Sequence, residues 1–255
     1  MPDNQINGVD FVLPFRFSEG AWQLGTRGPI SLRIAEVVNQ VTVKNIAADL
    51  QGAYPWSENN PLLLSDVSAD LLGGKIIMQQ LRMPQHDPAL LRVQNISSSE
   101  LISAVNPKQF AMSGPVSGAL PLWLDNEKWI IKDGWLTNLG PMTLRIDKDT
   151  ADAVVKDNMA AGAAINWLRY MEVARSWTRI NLDNLGVLTL KATISGTSRV
   201  EGKSNTVHLN YSHEENIFDL WRSLRFGDNL QAWLEQNARL PAPRCQDSHT
   251  CKEQQ

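Results

Sequence analysis

The amino-acid sequence predicts a mainly β protein built from many short antiparallel strands, each apolar on one side. Three observations lead to this fold class. Apolar residues alternate with polar ones over most of the chain, which is the two-residue period of a β-strand. Turn signals such as Glu19-Gly20 and Gly73-Gly74 separate the alternating stretches. Residues 112–146 read as a meander of such strands whose apolar positions stay on one face.

In the first predicted strands, apolar and polar residues alternate regularly, but the apolar positions change phase once. Apolar residues occupy every odd position from 9 to 17, and Pro14 inside this run indicates an edge strand or a bulge. Further on, the apolar positions move from odd numbers at Val43 to even numbers at Ile46. This change of phase predicts a bulge or turn near Asn45.

The middle of the chain adds further strands and one short helix. Ser98-Ser99-Glu100 has the composition of a helix N-terminus, so a helix of about two turns is expected there. Between 112 and 146, we expect turns at Asp125-Asn126, at Asp133-Gly134 and at residues 138–141. The chain up to Ile146 is therefore predicted to hold about ten to a dozen strands.

The last third of the sequence predicts helices as well as strands. Apolar residues at three- and four-residue steps, together with many alanines, predict one longer helix near 149–168. Strands then return, a polar loop is expected over 196–205, and the last strand runs from Val207 to Tyr211. Two short amphipathic C-terminal helices are predicted for 216–226 and 228–237.

Charge and motifs argue against several functional classes. The 24 Lys and Arg residues against 27 Asp and Glu give a net charge of −3, and no basic patch is interleaved with aromatic residues, so nucleic-acid binding is not expected. The sequence has no Gly-x-Ser-x-Gly, phosphate loop, dinucleotide fingerprint or His-Glu-x-x-His motif. We therefore expect a protein that is not an enzyme, with no cofactor and no metal site. Met1 is followed almost at once by a strand pattern, which predicts a fragment of a longer protein.

Two cysteines, Cys245 and Cys251, lie in a polar stretch at the C-terminus with His249 between them. In an oxidising compartment they can form a disulfide, and this is the pairing we predict. Two exposed thiols in a reducing compartment and a metal site are the alternatives, although two Cys and one His make a poor zinc site.

Three runs of sequence resemble a known family. They are FAMSGPVSGALPL from Phe110, DGWLTNLGPMTLRI from Asp133 and LNYSHEENIFDLWRSLRF from Leu209. They are similar to the C-terminal region of an AsmA-like protein of Gram-negative bacteria, a family of bridge-like lipid-transfer proteins. The resemblance covers most of the chain. It implies a long twisted antiparallel sheet bent into a U-shaped groove, apolar inside and polar outside.

The resemblance also implies a cellular setting. Such a protein is anchored in the inner membrane by a helix outside this chain, spans the periplasm and moves phospholipid to the outer membrane. A small outer-membrane lipoprotein is the implied partner, binding by strand addition at the C-terminal edge. A carrier for a small anion is a further reading, but no cluster of Arg or Lys suited to holding two carboxylates is evident in the sequence.

A one-sided sheet must cover its apolar face with another sheet, with helices or with a ligand. The predicted function is therefore to conduct phospholipid acyl chains as the outer-membrane-proximal segment of a periplasmic bridge. The alternatives are a scaffold domain whose apolar sheet and edge strand dock a partner protein, and a sheet that closes on itself as a barrel or sandwich. Residues 1–240 are expected to form one β-groove domain, and 241–255 a flexible polar tail.

Specific residues follow from this prediction. Those expected to line the groove are the in-phase apolar positions Phe15, Leu32, Val43, Leu81, Val93, Leu120, Leu122, Leu144, Leu190 and Leu209. Those expected to bind a partner along the edge strand are Thr206, His208 and Asn210.

Overall fold

The computed structural model describes residues 5–38, 41–105, 110–146, 170–200 and 203–217. All of the described strands belong to one antiparallel sheet, so the predicted mainly β fold is confirmed. The elements are β1 (Gln5–Phe11), β2 (Phe15–Ser18), β3 (Ala21–Leu24), β4 (Ile30–Val38), β5 (Thr42–Tyr54), β6 (Leu62–Leu71), β7 (Gly74–Met83), β8 (Ala89–Ser97), α1 (Ser98–Val105), β9 (Phe110–Ser113), β10 (Pro115–Leu122), β11 (Trp129–Asn138), β12 (Met142–Ile146), β13 (Met171–Asp183), β14 (Val187–Val200) and β15 (Lys203–Asn216).

The sheet is a meander of rows, in which adjacent rows of the sheet follow one another in the chain. Four rows of the sheet consist of two half-strands each. β1 with β2, β3 with β4, β9 with β10, and β11 with β12 each continue along the same adjacent row. The fifteen described strands therefore make eleven rows, with β1 and β2 at one edge and β15 at the other.

Two predicted turns are wrong. Asp133-Gly134 lies inside β11, where Asp133 has a left-handed φ of 55° and forms a bulge. Residues 139–141 interrupt the chain without reversing it, because β12 continues along β13 from the point where β11 leaves it. Asp tolerates the left-handed conformation in a bulge as well as in a turn, so the local sequence does not distinguish the two.

The polar loop expected over 196–205 is also wrong, because most of it lies in β14 and β15. Gly196 pairs with Val173, and Ser198 pairs with the fully buried Met171. These small residues accommodate the large side chains beside them. Ser198 is itself only 1% exposed, so it is a packed strand residue despite its polarity.

One face of the sheet, here called the apolar face, carries the hydrophobic side chains of every row. Directly paired residues share a face, and one such row runs from Val67 through Met78 and Leu91 to Leu120. The opposite face, here called the polar face, carries most of the charged side chains. The bulge predicted near Asn45 is confirmed, with a φ of 50°. Further positive-φ bulges at Asp66, Asn95 and Asp133 keep the apolar positions on one face.

Three glycines mark sharp bends of the sheet toward its apolar face, and these bends are here called creases. Gly52, Gly118 and Gly196 each lie on that face, opposite the backbone of the next strand. A Cβ at these positions would overlap the carbonyl oxygens of Pro61, Trp135 and Glu172, respectively. Since only a residue without a side chain permits so close an approach, the sheet bends toward the apolar face at three places.

Among the described residues the sheet does not close. β1 pairs only with β4, and β15 pairs only with β14. This result favours the open sheet over the barrel or sandwich that the sequence left possible. The short helix predicted from Ser98-Ser99-Glu100 is confirmed as α1, and its cap is Ser97, whose Oγ accepts a 3.3 Å hydrogen bond from the Glu100 amide.

Several predictions fall outside the described residues. These are the helix near 149–168, nearly all of the two C-terminal helices, the disulfide between Cys245 and Cys251, and the tail 241–255. The division into a domain 1–240 and a tail stays a prediction. Within the ranges that the structure describes, no helix combines the length and hydrophobicity needed to cross a membrane.

Candidate lipid-binding groove

All ten residues predicted to line a groove lie on the apolar face, although their exposure differs. Leu81, Val93 and Leu144 are buried. The half-buried members are Leu32, Val43, Leu120, Leu122, Leu190 and Leu209. Phe15, on the edge strand β2, is 55% exposed. The register of the sheet thus brings these side chains to a common surface, and their role in binding lipid stays a prediction.

Two clusters of buried side chains make up much of this surface. The first lies on β7 and β8 and contains Met78, Leu81, Met83 and Ala89. The second joins β12 and β13 to β15 and contains Met142, Leu144, Met171, Val173 and Val207. Val207 reaches this cluster across Gly196, which has no side chain to separate it from Val173. The crease at Gly196 therefore brings two non-adjacent strands into contact.

Methionine is a component of the apolar face that the sequence prediction missed. Five of the seven methionines lie on the apolar face: Met78, Met83, Met112, Met142 and Met171. Their positions were in phase with the leucines, so the alternation itself could have identified them. The unbranched, flexible methionine side chain adapts its shape to whatever it packs against.

The N-terminal edge of the apolar face carries a group of exposed aromatic residues. Trp22 contacts Phe15 and Phe17, with ring centroids 5.5 and 5.0 Å apart. Tyr54 and Trp56 form an edge-to-face pair at 5.7 Å beside them. The sequence prediction included only Phe15 of this group, because alternation does not show that β2, β3 and the end of β5 are adjacent.

Charges are kept away from the centre of the apolar face. Arg33 and Asp49 form a 2.9 Å ion pair on the polar face, and the hydrogen bond from Arg33 lowers the pKa of Asp49. An exception in the described part of the chain is the 3.7 Å contact between His213 and the Glu215 carboxylate on the apolar side. It lies near the end of the edge strand β15.

Side-chain hydrogen bonds connect the loops at one end of the strands, and these loops are here called the rim. The side chain of Gln85, in the loop after β7, donates to the Leu122 carbonyl at 3.2 Å and accepts from the Leu124 amide at 2.6 Å. Asp125 in turn accepts from the Gln85 amide at 2.8 Å. Asn184 extends the rim by donating to the Asn126 carbonyl at 2.8 Å. The loops at this end are thereby held together laterally.

The three predicted partner-binding residues lie on the edge strand as expected. Thr206, His208 and Asn210 point to the polar face, are exposed and pair with β14. The other side of β15 has no strand partner within the described residues. Their role in partner binding stays a prediction, as does the absence of catalytic activity. The described residues contain no group of three or more His, Cys, Asp or Glu that could hold a metal ion.

The fold and the candidate site together define a protein built on one open antiparallel β-sheet, whose described strands share one continuous apolar face. The chain belongs to the YdbH-like family: the family described as intermembrane phospholipid transport protein YdbH matches residues 1–239. Over 255 residues it is 77% identical to the probable phospholipid transport protein YdbH of Escherichia coli strain K12. The match covers 100% of this chain and 29% of the relative's length. No solved structure matches the chain. The resemblance to a lipid-transfer family is thus confirmed.

Proposed function

We propose that the apolar face of this chain carries phospholipid acyl chains across the periplasm between the inner and outer membranes. The observation that supports this most strongly is the open sheet itself, in which eleven rows present one continuous apolar surface. In the longer protein, this chain is the outer-membrane-proximal segment of a bridge whose anchor lies in the inner membrane. The name of the Escherichia coli relative, a probable phospholipid transport protein, agrees with this proposal.

The physical basis is unspecific apolar contact along the groove. Transfer from water stabilises an acyl chain by about 0.8 kcal/mol per methylene, without any directional bond. Because successive rows are apolar to a similar degree, neighbouring positions of the chain have similar free energies, which permits sliding. The adaptable methionines suit chains of different length and unsaturation. The polar headgroup stays in water, outside the apolar groove.

A photo-crosslinking amino acid tests where the lipid lies. Placed at Leu190, on the apolar face of β14, it should yield phospholipid adducts detectable by mass spectrometry of protein purified from cells. The matched control is Lys191, the next residue on the same strand, which is exposed on the polar face. Equal adduct yield at the two positions would mean that lipid association is not confined to the groove.

Charged substitutions test whether lipid moves along the groove, and not only whether it binds there. Leu120→Glu combined with Leu190→Arg should block lipid passage more than it lowers stability, because both side chains are half-buried and a charge there can reach water. Loss of folding in this double variant would show that the positions belong to a closed core.

A scaffold or adaptor domain is the alternative function, favoured by the unpaired side of β15. An extended segment of a partner, for which we propose a small outer-membrane lipoprotein, can add a strand there. Cysteines placed at Thr206, His208 and Asn210 should then crosslink to one partner. Native mass spectrometry separates the two functions. Co-purified phospholipid supports the groove, and a lipid-free mass together with a bound partner supports the scaffold.

A further inference from the structure

The polar face carries an aromatic pair with no part in the groove. Trp135 on β11 and Trp177 on β13 stack almost in parallel, with ring centroids 5.0 Å apart and an interplanar angle of 9°. Trp177 is 46% exposed and Trp135 is half-buried. Neither indole is needed to cover a core, since the hydrophobic clusters lie on the other side of the sheet. Exposed aromatic surface of this kind on a solvated face is a candidate binding surface.

Trp135 also forms one wall of a surface notch of about 430 Å³. The other walls come from Arg92 and Gln94 on β8 and from Leu139, and the backbone of Gly118 also lines the notch. Trp177 does not line the notch, so Trp135 stacks on its partner on one side and faces the notch on the other. Ser117, also in the notch, accepts the Asn95 amide at 2.8 Å and keeps its hydroxyl proton for a ligand.

Three cationic side chains without an ion-pair partner among the described residues lie in the same row as Trp135. One row of the polar face runs from Arg92 through Ala119, Trp135 and Arg179 to Lys191. Arg179 and Lys191 are directly opposite each other, and neither they nor Arg92 form an ion pair with any described residue. Like charges in directly opposed positions destabilise a sheet. An anionic ligand would remove that repulsion.

We propose that this notch and its row of cations bind an acidic polysaccharide. The C–H face of a sugar ring stacks on the free face of Trp135, because the face of an indole is electron-rich. Carboxylates of the glycan pair with Arg92 and Arg179, whose planar guanidinium groups hold carboxylates bidentately. Ser117 and Gln94 supply hydrogen bonds to ring hydroxyls.

The position of the notch in the sheet favours a glycan over a peptide. β10, β11 and β13 each have strand partners on both sides, so an extended peptide finds no unpaired backbone to join there. Nucleic acid fits less well, because Glu172 and Glu214 lie on the same face and the net charge is −3. A glycan is recognised by side chains alone, which is what this surface offers.

Isothermal titration calorimetry of the intact chain with a hexamer of galacturonic acid tests the proposal, with a neutral glucose hexamer as the matched probe. We expect saturable binding of the acidic hexamer and at least tenfold weaker binding of the neutral one. Trp135→Leu and Arg179→Gln should each weaken binding of the acidic hexamer at least tenfold. Lys75→Gln, which changes a polar-face lysine paired with Asp70, should leave it unchanged.

Thermal melting of each variant confirms folding before titration, and Trp135→Phe, which keeps an aromatic ring, should retain most of the affinity. Equal binding of both hexamers, or no binding at all, would overturn the proposal. The same holds if poly-glutamate, a thymidine oligonucleotide or phosphatidylglycerol vesicles bind as tightly with the same dependence on Trp135. Because no tested residue lies on the apolar face, failure here leaves the lipid groove untouched.

Discussion

The side chains of the apolar face are exposed to different degrees at the two edges of the sheet. At the N-terminal edge, every residue of β1 is exposed, including Phe11. At the C-terminal edge, Val207 of β15 is only 8% exposed, although β15 also lacks a second strand partner among the described residues. Val207 is buried because the crease at Gly196 folds β15 toward Val173. Among the described residues, burial at this edge therefore depends on local bending of the sheet.

Removing a crease should have the largest effect on stability. Gly118→Ala and Gly196→Ala each place a methyl group against the backbone of the neighbouring strand, so we expect losses of about 3–5 kcal/mol in the free energy of unfolding. Gly140→Ala is the control, since nothing lies within 4 Å of its added Cβ. Urea unfolding measures all three. Similar small losses throughout would show that the sheet flattens at little cost and that the creases do not cause the burial.

The next largest loss of stability is expected from truncating a side chain in the centre of the sheet. Met171 is 0% exposed in the cluster that the crease assembles, so Met171→Ala should lower the free energy of unfolding by about 2–4 kcal/mol. Phe15→Ala at the N-terminal edge should cost less than about 1 kcal/mol, because that ring is already mostly in water. A Phe15 variant as unstable as the Met171 variant would contradict the difference between edge and centre.

A matched pair of substitutions compares the edges directly. Val207→Thr buries a hydroxyl beside Val173 and should cost about 1–2 kcal/mol. Val9→Thr makes the same change on β1, where the side chain is exposed, and should change the stability by less than about 0.5 kcal/mol. Chemical denaturation of both variants tests the comparison, which fails if the two losses are equal.

The smallest expected effect is a pH dependence from the ion pair of Arg33 with Asp49. The Arg33 hydrogen bond lowers the pKa of Asp49 below 3.8, so its stabilising contribution is present above that pH. It is lost as the pH falls through the lower, folded-state pKa. Since the Arg33 side chain is about half exposed, the contribution should not exceed about 1 kcal/mol. Arg33→Gln should therefore flatten the stability profile below pH 4, and an unchanged profile would show that the pair contributes nothing.

The amino-acid sequence by itself determined the strand alternation, the phase change at Asn45 and the cap region of α1. It also placed all ten predicted groove residues on one face. These features depend on side chains within a few residues of each other, because a strand alternates its faces every residue and a bulge shifts that phase locally.

Only the tertiary structure decided where strands continue and where they turn. Asp133-Gly134 suits a turn and a bulge equally, and pairing with β13 made it a bulge. Gly118 and Gly196 look like ordinary strand glycines until the next strand is seen against them. The stack of Trp135 on Trp177 joins residues more than forty positions apart in the chain. Local backbone preferences permit both the turn and the bulge, and both the ordinary and the closely packed glycine. Contacts between rows decide between them, and the order of residues in the chain does not reveal these contacts.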